Sequence, residues 1–220
     1  MEISIPKTAN TIRHSSTKDG TAHGTIVTAF PEILCADASA VADRMQCPTM
    51  ALPGWSVTVR GEALNLPYRI HHEESEALFT HLSGVQAVIY ACVLTRHTNG
   101  HVRQRQIERL ASESLDWIAP FIIQLCSEYV IEILVDVEQR LPRIDRDTYG
   151  AFIRENPVFY RKARDRMVSY WDCYYRWLYK RKRDYVGFRL FDQFDEWSRS
   201  SPGWRCLREH TRHPAIARQP

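Results

Sequence analysis

Apolar residues recur at every second position between residues 55 and 70, and from about residue 73 onward they recur with helical spacing. Trp55, Val57 and Val59 alternate with Ser56 and Thr58, and Leu64, Leu66, Tyr68 and Ile70 alternate again. Arg60-Gly61-Glu62 between the two runs makes a turn, so the segment reads as a β-hairpin, with Pro67 confining its second strand to an edge. Two strands alone are marginal in water, so they must lie against helices. Leu78, Leu82, Val85, Ile89, Cys92 and Val93 place a helix over 74–97, and Asn99-Gly100 ends it. A short basic helix follows over 101–111, then a long and very apolar one over 115–141 and a short one over 145–156. Asn156-Pro157 breaks the chain before a second long helix over 158–183. From Asp184 the pattern looks irregular.

These elements predict a mainly α protein, a compact helical bundle-like domain over 51–200 carrying a small N-terminal β-hairpin. Residues 1–50 are expected to form a flexible arm. Its first 30 positions are rich in Ser and Thr, and a short helix is expected over 31–46. Residues 201–220 are expected to form an irregular basic tail.

Composition narrows the class without naming an activity. Of 220 residues 44% are hydrophobic and 25% charged, values ordinary for a soluble globular chain, and the net charge of +3 does not demand an anionic partner. The opening residues lack the apolar run of a secretory signal. The most apolar run, 117–125, is followed at once by Glu128, Glu132 and Asp136, which opposes a membrane span. No two of the six cysteines form a CxxC pair, so reduced cysteines and a cytoplasmic location are expected, with no membrane partner and no cofactor.

Some residues carry candidate chemistry. On a continuous 115–141 helix, Glu128, Glu132 and Asp136 form one acidic stripe at four-residue spacing, where like charges repel and a cation should face them. Arg103 falls in the middle of the face made by Val102, Gln106, Ile107 and Leu110, so it should pair with Glu128 or Glu132. A di-metal reading of the stripe lacks its Glu-x-x-His units, so no metal is expected. Arg96, His97 and His101, with His71-His72-Glu73-Glu74, form the one polar cluster with acid–base capacity. No nucleophile elbow, phosphate loop or dinucleotide fingerprint accompanies it, and no catalytic residue is assigned.

On the second long helix Tyr160, Ala163, Met167, Tyr170, Trp171, Tyr174 and Leu178 share one apolar face, read as core, with Tyr175 and Tyr179 on its flank beside arginines. Residues 154–189 hold 11 Lys and Arg against 4 Asp and Glu, whereas residues 108–147 hold 4 against 9. The two segments are expected to pack as neighbours and cancel much of each other's field. A basic face left free would instead be the footprint of nucleic-acid binding.

TRHTNGHVRQR (95–105), PFIIQLCSEYVIEI (120–133), LPYRI (66–70) and SYWDCYY (169–175) together resemble a set of uncharacterised bacterial cytoplasmic proteins. That resemblance spans about residues 55–192 and implies no activity and no site residues. NGHVRQRQIERL (99–110) also resembles the second helix of a HEAT-like helical hairpin, although the chain has no repeat period.

The expected role is therefore a cytoplasmic binding module whose partner is another protein. The rival readings are nucleic-acid binding through the basic aromatic helix and an enzyme using the His/carboxylate cluster. The candidate binding residues are Arg96, His97, His101, Arg103, Glu128, Glu132, Tyr175 and Tyr179.

Overall fold

The computed structural model describes residues 22–45, 50–52 and 54–200, so the expectations for residues 1–21 and for the tail at 201–220 lie outside the described residues. The chain begins with α1 (Ala22–Val27), a 3-10 turn, and α2 (Cys35–Arg44). Part of the expected arm is therefore core. Ile26, Ala29, Phe30, Val41 and Met45 are buried, and Phe30 stacks on Phe121 with ring centroids 5.4 Å apart. The Ser/Thr-rich composition of residues 1–30 hid these few apolar anchors.

Four strands follow: β1 (Met50–Leu52), β2 (Trp55–Val59), β3 (Glu62–Leu66) and β4 (Arg69–His71). The hairpin of β2 and β3 is antiparallel, pairing Trp55 with Leu66 and Val59 with Glu62. Its turn is two residues long, with Arg60 at φ 51° and Gly61 at φ 83°. Two successive left-handed residues match the twist of the flanking strands, and glycine takes the second at no steric cost. The alternation read through Tyr68 and Ile70 breaks at Pro67, which has no N–H to extend the ladder. Beyond it, β4 pairs instead with β1, and the Ile70 amide donates to the Arg96 carbonyl at 2.8 Å. Asn156 grips β2 from outside. Its Oδ1 accepts from the Thr58 amide at 2.7 Å, and its Nδ2 donates to the Thr58 and Phe152 carbonyls at 2.7 and 2.9 Å.

The helical remainder comprises α3 (Glu76–Phe79), α4 (Gly84–Leu94), α5 (Gly100–Leu110), α6 (Ala119–Leu125), α7 (Ile131–Arg140), α8 (Arg146–Glu155), α9 (Pro157–Tyr170) and α10 (Val186–Arg199). The fold is thus mainly α, with α1 and α2 ahead of the hairpin. Ser83 and Gln86 close a capping box on α4, and the Asn99 side chain caps α5 by accepting from the His101 amide at 2.9 Å.

Three helical expectations change. The 115–141 segment is two helices separated by Cys126–Val130, where Ser127 Oγ donates back to the Gln124 carbonyl at 2.7 Å. The break turns Glu128 inward, leaves Glu132 exposed and dissolves the acidic stripe. The second long helix ends α-helical geometry at Tyr170 and passes through a π turn, Trp171–Tyr175, in which the Arg176 amide donates to the Trp171 carbonyl at 2.8 Å. One extra residue per turn rotates everything beyond it. Met167 and Trp171 are buried as expected, but Tyr174 and Leu178 are each 57% exposed. Finally, the stretch read as irregular from Asp184 holds α10, with Leu190, Phe191, Phe194 and Trp197 buried on one face. α10 packs on α8 so closely that a Cβ on Gly150 would stand 2.3 Å from the Trp197 carbonyl oxygen.

Candidate functional site

Glu128 is buried with three guanidiniums around it. Arg69 Nη1 and Arg96 Nη2 both donate to Oε1 at 2.9 Å. Arg103 Nε lies 2.8 Å from Oε2, close enough for charge attraction but off-line for a hydrogen bond. Glu128, Arg96 and Arg103 are almost fully buried, and Arg69 is nearly so. Burial alone would raise the Glu128 carboxyl, but the guanidiniums of Arg96, Arg69 and Arg103 outweigh it and hold it below its usual range. Burial pulls Arg96 down to about 10 despite the attraction of Glu128.

The guanidiniums also bind backbone. Arg96 donates to the Pro67 and Tyr68 carbonyls at 3.3 and 3.0 Å, Arg69 to Tyr68 at 2.9 Å, and Arg103 to His97 and Thr98 at 2.8 and 3.0 Å. One cluster therefore ties together the β3–β4 connection, the end of α4, the start of α5 and the α6–α7 turn. Such an assembly is weak as net stabilisation, because desolvating the charges costs about what their attraction returns, but it penalises the loss of its one carboxylate heavily.

Arg103 pairs with Glu128, as its position on the core-directed face required. Arg69 and Arg96 are the partners that sequence reasoning missed. The signal for Arg96 was its place directly after the buried run Ile89–Thr95, where a cation needs a nearby carboxylate. Arg96, Arg103 and Glu128 are buried and engage one another inside the protein, not at its surface. His97 is buried too. Its Nε2 donates to the His72 carbonyl at 2.6 Å while Nδ1 accepts from the Asn99 amide at 2.9 Å, which leaves neither nitrogen for proton transfer. His101 is exposed on the first turn of α5, and Glu132 is exposed on α7. Tyr175 and Tyr179 are half-buried and pack on Tyr185, with ring centroids 5.4 and 5.6 Å away. They face inward because the π turn exchanges them with Tyr174.

The accessible chemistry lies above the cluster, on a strip assembled from β2, the Tyr68 loop, the Tyr129 turn and α9. Lys162 Nζ stands 5.4 Å from the Trp55 ring centroid. The Arg166 guanidinium is 5.9, 5.5 and 6.0 Å from the rings of Trp55, Tyr68 and Tyr170. Tyr129 then meets Tyr170 at 5.7 Å and Tyr174 at 6.3 Å. Each cation–ring contact contributes about 0.5–1 kcal/mol at an exposed site, enough to hold the side chains in a defined arrangement. Tyr68 and Tyr129 stand directly on the buried cluster, through the Tyr68 carbonyl and through the residue next to Glu128.

The basic segment is not neutralised as expected. Among the described residues, Arg189–Glu138, at 2.6 Å, is the one ion pair joining 154–189 to 108–147. The reason is placement: α9 packs on α6, α8, α10 and β2, whereas α7 packs on α5 and α10. Arg161, Lys162, Arg166, Lys180, Arg181 and Lys182 have no carboxylate partner among the described residues.

A concavity of about 610 Å³ is lined by Arg44, His71, His72, Glu73, Glu74 and His81, among others. Burial and the neighbouring His97 lower the pKa of His72. Glu74 is held by Arg105 and reaches Gln106 at 3.5 Å. Among the described residues no three His, Cys, Asp or Glu side chains are grouped to hold a metal ion, and no helix is long and apolar enough to cross a membrane. The described cysteines, Cys35, Cys92, Cys126 and Cys173, are free. No protein-family model matches the chain, no curated protein matches it, and no solved structure matches it.

Proposed function

We propose that the protein is a binding module that engages an acidic segment of another protein across the strip running from Trp55 to Tyr174. The observation that carries this reading is the interleaving of Trp55, Tyr68, Tyr129 and Tyr170 with Lys162 and Arg166, cations that no carboxylate neutralises among the described residues. Trp, Tyr and Arg are the residues that dominate binding energy at protein interfaces, because they bury large area at low entropic cost. The rigid plinth under Tyr68 and Tyr129 lowers that cost further. Free cysteines accord with work in the reducing cytoplasm.

The test compares native capture from cell extract by the wild-type chain and by Tyr68→Ala and Arg166→Glu variants, with nuclease-treated extract as a second arm. The reading expects a stoichiometric protein that survives nuclease and is lost from both variants. Equal capture by all three chains would refute it. A nucleic-acid partner is the second reading, favoured by the uncancelled charge of 154–189. It requires that binding to single-stranded oligonucleotides weaken steeply with salt, as released counterions dictate.

A further inference from the structure

Where the strip ends at Tyr174, the turn after α9 exposes three large side chains within five positions. Trp177 is 76% exposed, and Tyr174 and Leu178 are 57% exposed. This exposure is built into the turn. Trp171 Nε1 donates to the Tyr179 carbonyl at 3.0 Å, and the Tyr179 amide donates to the Tyr175 carbonyl at 2.8 Å. Tyr175 and Tyr179 are pinned on Tyr185, as described above. The inward aromatics fix the turn, so the outward ones cannot fold back into the core. Residues 173–183 hold Arg176, Lys180, Arg181, Lys182 and Arg183 and no acidic residue. Arg176 is engaged by Asp172 at 2.7 Å and Arg183 lies 3.8 Å from Asp184, while the three cations between them pair with no carboxylate among the described residues.

We propose that this corner seats the protein on an anionic lipid surface, with Trp177 and Leu178 entering the headgroup boundary and Lys180–Arg183 facing lipid phosphates. An exposed Trp and Leu beside a basic run suit the bilayer interface, where amphipathic rings settle and cations gain from surface charge. Leu178 has no π-face to stack on a base, which sets the corner apart from a nucleic-acid platform. A symmetric dimer through it would bring two basic runs together. The inference does not rest on the protein-binding strip, and it revises the expectation of no membrane partner without requiring a spanning helix.

The experiment is flotation of the full chain with vesicles of phosphatidylcholine alone and with vesicles containing about one third phosphatidylserine. Binding to the second kind only, weakened by salt, is expected. Each cation removed should weaken it about fivefold, so Lys180→Ala/Arg181→Ala/Lys182→Ala should lose about a hundredfold. Trp177→Ser/Leu178→Ser, at exposed positions, should abolish quenching by brominated lipid as well as flotation, with the far-ultraviolet circular dichroism unchanged. No partition onto anionic vesicles at low salt would overturn the proposal. So would undiminished flotation of the Trp177/Leu178 variant, or loss of flotation on Arg166→Glu with the corner intact. If the Trp177/Leu178 variant floats normally but loses its captured protein, the corner belongs to the protein interface and the lipid assignment falls. Concentration-dependent dimers abolished by that variant, without vesicle binding, would assign the corner to a second copy of the chain.

Discussion

Replacing Glu128 by Gln tests the central cluster most sharply, because the site holds three cations and one anion. The substitution keeps the shape and removes the charge. Arg69, Arg96 and Arg103 then stand together in a desolvated site with no counter-charge, and each also repels its neighbours. Removing one partner from a buried ion pair costs about 3–5 kcal/mol. Urea unfolding with a slope of about 2 kcal/mol/M should therefore show the midpoint falling by about 2 M. Arg69→Met acts in the opposite direction on charge. It leaves Glu128 with two guanidiniums and lowers the local excess of positive charge, so its cost is about 1 kcal/mol, mainly the lost bond to the Tyr68 carbonyl. The reasoning is refuted if the two variants unfold at the same midpoint, or if Arg69→Met is the worse.

Acid titration should follow the same cluster. The folded pKa of Glu128 lies below its ordinary value of 4.5, so its contribution is complete above that value and is lost as pH falls through the lowered one. In Glu128→Gln the slope of stability against pH below about 4.5 should flatten, measured by urea unfolding at successive pH values. Asn156→Ala removes three hydrogen bonds and strands the Thr58 amide and carbonyl, which should cost about 2–3 kcal/mol by the same unfolding assay. Gly150→Ala forces a methyl against the Trp197 carbonyl, so α8 and α10 must separate, and a loss of about 1–3 kcal/mol is expected in calorimetry.

Local pattern carried most of the fold and little of the accessible surface. The β2–β3 hairpin was legible because its faces alternate strictly, and α8 because Asp145 and Asn156 punctuate it. Arg103 was legible because a guanidinium on a core face has few tolerable outcomes. The 115–141 segment misled because helical periodicity says nothing of where one carboxylate must leave the helix to reach its cations. α10 was overlooked although Leu190, Phe191, Phe194 and Trp197 recur at helical spacing, because the flanking basic runs and Ser-Ser-Pro-Gly read as irregular. The reversal of Tyr174 against Tyr175 and Tyr179 follows from a π turn, which has no sequence signature of its own. The strip was invisible in the sequence because Trp55, Tyr68, Tyr129 and Arg166 come from four distant segments that only the tertiary fold brings together.

Oxidative footprinting of aromatic side chains, with the captured partner bound and removed, tests the binding strip most directly. Binding should protect Tyr68, Tyr129 and Tyr170 together while leaving His71 and His81, which are exposed on the lining of the other concavity, unchanged. Protection centred on His71 and His81, with Tyr68, Tyr129 and Tyr170 still reactive, would contradict the account.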